Sequence, residues 1–227
     1  MRRGPRILLL VVLGVLALAA AALLLAVWAT QQVPEFYRDA LAAEPAAQAA
    51  AADQMDRQLT TIQGAAVGEG AWQVDFTADE INGWLAVKAG DDPELLARGL
   101  RAPRVRVRPG GITIACQAER AGLHSVVCLD VDVYMDSPGV VGLRIRKLRA
   151  GALPWPPARV LRGISEACRR AGLGVRWLQA GGDPVALISL GQIEGQRGKP
   201  ICIEQIRLDE DGIHISGVTG KGKGIRD

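Results

Sequence analysis

The chain has 227 residues, 49% of them hydrophobic, and a formal net charge of +3 at neutral pH. Arg2, Arg3 and Arg6 are the only charges before Thr30, so everything after them is formally neutral, which speaks against a nucleic-acid binder with a clustered basic surface. The tail GKGKGIRD is the one basic run, and a short Gly-Lys end of this kind reads as solvated.

Residues Ile7 to Ala29 are uncharged over 23 positions. At about 1.5 Å per helical residue this run crosses a hydrocarbon core of roughly 30 Å. Three arginines precede it and no basic residue follows until Arg38, a bias that keeps the N-terminus in the cytoplasm and sends the rest outward. Val27 and Ala29 also fit a small-residue processing site, but the apolar core of a signal peptide spans only about 7–15 residues, so a retained anchor is expected. The expected location is therefore a cell membrane, single-pass, with the C-terminal domain periplasmic or otherwise extracytoplasmic. The expected units are residues 1–29 as basic tip and anchor, 30–69 as stalk helix or linker, 70–219 as an α+β domain and 220–227 as a flexible basic tail.

After the anchor, an alanine-rich stretch carries Met55, Leu59 and Ile62 at helical spacing and is interrupted or restarted at Pro45. It reads either as a spacer that holds the domain off the bilayer or as a helix that packs on its own domain. In WQVDFTADEINGWLAVK, Thr77 caps a helix, Glu80 reaches back to it and Phe76 packs ahead of the cap on Ile81, a capping box with a hydrophobic staple. Ile81, Trp84, Leu85 and Lys88 then share one side of that helix.

From Pro103 the period changes to alternation. Val105 and Val107, a Pro-Gly-Gly turn, then Ile112, Ile114 and Cys116 on one face predict a hairpin. The next strand places Val127, Leu129, Val131, Val133 and Met135 on one face, with Cys128, Asp130 and Asp132 on the other. After a Ser137-Pro138-Gly139 turn, Val141, Leu143 and Ile145 share a face opposite Arg144 and Arg146. Those arginines are placed to pair with the aspartates across a solvated outer face. Cys116, Cys128, Cys168 and Cys202 leave two, one or no disulfides open, although a Cys116–Cys128 bridge conflicts with the alternation. None of the four has close metal-ligand spacing.

Gly151 ends the strand, Pro154, Pro156 and Pro157 make a stiff corner holding Trp155, and Val160, Ile164, Ala167, Cys168 and Ala171 form the apolar side of the helix that follows. VRWLQA, PVALISL and PICIEQIRLDEDGIHISGV then read as short strands, the last pair joined by an Asp211-Gly212 turn. The expected fold is α+β: an N-terminal transmembrane helix, a stalk helix, then a curved antiparallel sheet packed against one or two amphipathic helices.

Catalytic equipment is not visible. His124 and His214 sit in strand patterns at surface positions, no nucleophile elbow, HExxH or phosphate loop occurs, and the arginines account for Asp130 and Asp132. The expectation is a non-enzyme with no catalytic residues, no metal and no cofactor.

The membrane helix, FTADEINGWLAV, the strand pair ending in IRKLRAGALPWPPARVL and the closing IRLDEDGIHISG together resemble the bacterial YpmS-like exported proteins, over about residues 70 to 217. The shape of these segments is similar to the lipid-binding fold of the BPI-like, or TULIP, kind. The matching positions are Glu80, Ile81 and Asn82 at the helix entry and Gly151, Leu153, Pro154 and Pro156 at the corner. The resemblance implies a long helix laid in the concave side of a highly curved sheet, with an apolar groove between them that accepts acyl chains. The chain is shorter than fully developed lipid-transfer members, which implies an open groove or core packing and not a closed tunnel. The groove would be lined by Trp84, Leu85, Leu143, Ile145, Trp155, Val160 and Ile164. The expected partners are the membrane, through Ile7 to Ala29, and a lipid or other amphiphile, with no nucleic acid. The alternative is a structural or interaction protein of the bacterial envelope, in which the same faces form a dry core and the surface recruits an envelope protein.

Overall fold

The computed structural model describes residues 32–65, 69–89, 92–97, 99–120, 123–151, 153–154, 157–190, 193–194 and 200–220. The apolar run Ile7 to Ala29, the corner residues Trp155 and Pro156 and the basic end 221–227 lie outside the described residues. None of the described helices is long and apolar enough to cross a membrane.

The architecture is α+β, with two antiparallel sheets and five short to medium helices among the described residues. Helices α1 (Glu35–Ala42) and α2 (Pro45–Ala65) come first, divided at Ala43–Glu44 just before Pro45. Strand β1 (Gly70–Phe76) leads into α3 (Ala78–Lys88) and the single turn α4 (Pro93–Ala97). A run of four strands follows, β2 (Leu100–Arg108), β3 (Gly111–Arg120), β4 (Leu123–Ser137) and β5 (Val140–Ala150). Gly151, at φ +57, then turns the chain so that β6 (Leu153–Pro154) folds back on the end of β5. Next come α5 (Ala158–Arg170), the hairpin β7 (Gly174–Ala180) and β8 (Asp183–Ser189), then β9 (Ile193–Glu194), β10 (Pro200–Leu208) and β11 (Ile213–Thr219). The larger sheet has the order β2-β3-β4-β5-β8-β7 with β6 beside β5, and the smaller has β1-β11-β10-β9.

Cross-strand register divides the large sheet into two unlike faces, because directly opposed residues share a face. On one face the rows are Val107–Ile112–Val131–Ile145 and Val133–Leu143–Ala186–Trp177, apolar from end to end. On the other face three rows carry a cation at both flanks: Arg104–Ala115–Cys128–Arg149, Arg106–Thr113–Asp130–Lys147 and Arg108–Gly111–Asp132–Arg144. Cys116 opposes Val127 and Cys128 opposes Ala115, so the two cysteines point to opposite faces as the alternation required. All four cysteines are free thiols, and burial pushes the Cys116 thiol up to about 11.

Helix α1 packs on the charged face. Tyr37 is fully buried against Ala115, Val126 and Cys128, and Phe36 lies beneath the Arg106 guanidinium, 4.9 Å from ring centroid to carbon. The Tyr37 hydroxyl donates to the carbonyl of Ala102 at 2.8 Å, and burial pushes its pKa up to about 12. Ala102 has φ +47 inside a bulge between Arg101 and Arg104, a conformation that costs a non-glycine residue about 1–3 kcal/mol. The surrounding bonds hold it there: buried Arg104 donates to the carbonyls of Ala40 and Pro103.

At the β2 edge, helix α3 is fixed by polar chemistry. Thr77 accepts from the Glu80 amide and the Glu80 carboxylate accepts from the Thr77 amide, the expected capping box. Asn82 accepts from the Val105 amide at 2.7 Å and donates to the Val105 carbonyl at 2.9 Å. Its side chain thus completes an edge strand as a further strand would, which also blocks that edge against other chains. Gly83 is buried where α3 meets α2, with no room for a β-carbon: one would lie 2.6 Å from Ala51 Cβ. The Trp84 indole donates to Asp56 on α2 at 3.0 Å, and Lys88 pairs with the same carboxylate.

Candidate functional site

The expected groove residues fall into two groups. Trp84 and Leu85 belong to α3, at the β2 edge, where Trp84 is bonded to α2. Leu143 and Ile164 pack together around Cys168, Ala186 and Ile188, where α5 covers the apolar face near β8 and β7. Ile145 is buried within the same face of β5, and Val160 sits half-buried one turn before Ile164 on α5. Trp155 lies outside the described residues. The structure therefore brings together the sheet and α5 residues and leaves Trp84 and Leu85 at the opposite edge. Ala167 and Ala171, expected on the packed side of the helix, are exposed, because the buried stripe of α5 runs through Ile164 and Cys168.

Beside that cluster a cleft of about 380 Å³ opens between α5 and the β7–β8 hairpin. Leu161, Trp177 and Pro184 form its apolar walls, Arg162, Ser165 and Gln179 supply the polar groups, and Leu178 borders it with its side chain in the charged-face row Arg144–Val185–Leu178. The Trp177 indole N–H donates to Ser165 Oγ at 2.9 Å, and Ser165 donates in turn to the Leu161 carbonyl. That relay satisfies the inner polar groups and fixes the indole plane, so the polar side chains without a partner among the described residues are Arg162 and Gln179 at the rim. Its apolar walls with Arg162 at the rim have the chemistry that would suit an apolar chain with a polar or anionic end. Sequence reasoning missed Trp177. Its alternation in VRWLQA placed it on a strand, but only the register β7–β8–β5 shows that its face continues the row ending at Val133.

A second constellation lies on the outer face of the small sheet. His214 Nδ1 is 2.6 Å from Asp75 and Nε2 is 3.0 Å from Asp209. Asp209 also accepts from the amides of Asp211 and Gly212, which anchors the β10–β11 turn, and Arg207 approaches its carboxylate. The bond to Asp209 first, then that to Asp75, holds the His214 pKa above its usual value. His214 in turn draws both carboxylates below theirs. A polar hollow of about 230 Å³, lined by Gln73, Gln205, Arg207 and Ser216, adjoins the ring. Both ring nitrogens are engaged by carboxylates, so this histidine is built to tie β1 to β11 and the turn, and it has no free nitrogen with which to exchange a proton with a substrate. Among the described residues no group of three or more acidic, histidine or cysteine side chains is arranged to hold a metal ion. The chain matches no protein-family model, no curated protein and no solved structure.

Proposed function

We propose that this chain is a single-pass membrane-anchored protein whose extracytoplasmic domain holds the apolar part of a lipid or other amphiphile between α5 and the large sheet. The observation that carries this reading is the cleft of about 380 Å³ walled by Leu161, Trp177 and Pro184, with Arg162 at its mouth. That volume falls within the range of small-molecule sites, about 300–1,000 Å³. Six buried methylenes would contribute about 5 kcal/mol. Immobilising the ligand costs about 4 kcal/mol or more, so the chain alone gives weak retention and a headgroup contact at Arg162 has to supply the rest. A tether to the bilayer suits such a site, because it raises the effective concentration of lipid. The engagement of both His214 nitrogens favours a non-catalytic protein.

Native mass spectrometry of the full chain, before and after organic extraction, tests the reading. A reproducible added mass released as lipid is expected, and Leu161→Gln, at a half-buried position on the α5 wall of the cleft, should lose it while keeping the fold. A bare polypeptide mass in the wild type would instead support the envelope-interaction reading, in which the sheet and α5 simply enclose a dry core.

A further inference from the structure

We propose that the charged face of the large sheet docks on the anionic phospholipid headgroups of the membrane to which the chain is tethered, an inference that rests on the anchor reading above. Three carboxylates of this face are already engaged, and exposed Glu119, which shares it through its register with Gln117 and Ala115, stands at the end of β3. Asp132 pairs with Arg108 at 2.6 Å and Arg146 at 3.4 Å, Asp183 pairs with Arg144 and Arg146, and Asp130 accepts from the Thr113 hydroxyl. Arg101, Arg106, Lys147, Arg149 and Arg176 share the face through their register and have no carboxylate partner among the described residues. All but the half-buried Arg149 are exposed. Since the chain beyond the first three arginines is formally neutral, this surplus is a segregation of charge and not a reflection of overall composition. Phosphate oxygens are the acceptors that such a spread of guanidinium and ammonium groups matches.

The tether reaches the domain on the same face. Five residues separate Ala29 from Glu35, the first residue of α1, a span of at most about 20 Å. Helix α1 is locked onto the charged face by Tyr37, Phe36 and the bonds of Arg104. Its exposed Glu35 and Asp39, with Arg38 between them, are the carboxylates that α1 adds beside the surplus. The unpaired cations and the entry point of the anchor therefore coincide, which favours the adjacent bilayer over a soluble polyanion.

The test uses the full chain in nanodiscs of phosphatidylcholine alone or with about 30 mol % phosphatidylglycerol, comparing acetylation of Lys147 with that of Lys88 on α3, in about 0.05 M and about 0.5 M salt. The Lys147 to Lys88 labelling ratio should fall at least about threefold with phosphatidylglycerol at low salt, recover at high salt, and recover at low salt in the double variant Arg106→Gln/Arg176→Gln. An unchanged ratio in chains that have entered the discs would overturn the docking surface while leaving the anchor intact. Protection that needs added soluble polyphosphate and is absent with phosphatidylglycerol would overturn the bilayer as its occupant. Failure of the chain to enter discs at all would remove the anchor reading and this inference together.

Discussion

The two edges of the large sheet are held by different chemistry. At β2, helix α3 is fixed by a capping box, by the two bonds from Asn82 to Val105, by the close contact at Gly83 and by the Trp84 bond to Asp56. At β7, helix α5 starts at Pro157 without a side-chain cap, packs through Ile164 and Cys168, and is tied to the hairpin by the bond from Trp177 to Ser165. Hydrogen bonds specify one geometry, whereas apolar contacts tolerate small shifts. The edge proposed to admit a ligand is thus the one packed through apolar contacts.

That contrast breaks if the α3 edge proves no more sensitive than the α5 edge. Gly83→Ala should have the largest effect, since its new β-carbon would lie 2.6 Å from Ala51 Cβ and from the Gln48 carbonyl oxygen. Overpacking of this kind costs about 1–3 kcal/mol, toward the upper end here because a backbone atom is involved, and equilibrium denaturation would measure it. Asn82→Ala should cost about 2 kcal/mol by leaving the Val105 amide and carbonyl without their partner. Ser165→Ala, which removes the Trp177 tie, should cost only about 1 kcal/mol. Equal losses at Asn82 and Ser165 would erase the distinction between the edges. Leu161→Gln sharpens it from the other side, because stability should fall by only about 1 kcal/mol while retained amphiphile disappears.

The smallest expected effect depends on pH and concerns the other sheet. The raised pKa of His214 gives stability that is fully present below about 6.5 and is lost as pH rises through the higher folded value. The lowered pKa values of Asp209 and Asp75 give stability present above about 3.8 and lost as pH falls through their folded values. Wild type should therefore exceed His214→Asn in denaturation midpoint between about pH 4 and 6.5, and the gap should close toward pH 9. A gap independent of pH would show that the ring acts by packing and not by charge.

Local signals were legible in the sequence and distant ones were not. The Thr77–Glu80 box, the turns at Pro109-Gly110, Pro138-Gly139 and Asp211-Gly212, and the opposed faces of Cys116 and Cys128 all depend on residues a few positions apart. Arg144 and Arg146 were rightly assigned to the face of Asp130 and Asp132, but Asp183, 39 residues from Arg144, takes the shortest of their pairings. Trp84 shares a helix side with Leu85, yet nothing in the spacing of that helix tells whether α2 or the large sheet receives it. The docking of α1 depends on a backbone bulge at Ala102, 65 residues from Tyr37 and unmarked by any glycine. The His214 clamp joins residues 139 positions apart. The stretch 30–69, open between spacer and packed helix, contains two helices that both pack, α1 on the large sheet and α2 on α3 and β1.

The most direct test of the central claim is photo-crosslinking of the full chain in native membranes with a diazirine-bearing fatty acid, followed by peptide mapping. Label on Ile7 to Ala29 is the internal control for membrane insertion. The account predicts additional label on the α5 peptide containing Leu161 and on the hairpin peptide containing Trp177 and Leu178. Label confined to the N-terminal run, with the 158–190 segment clean, would contradict an amphiphile site in this domain.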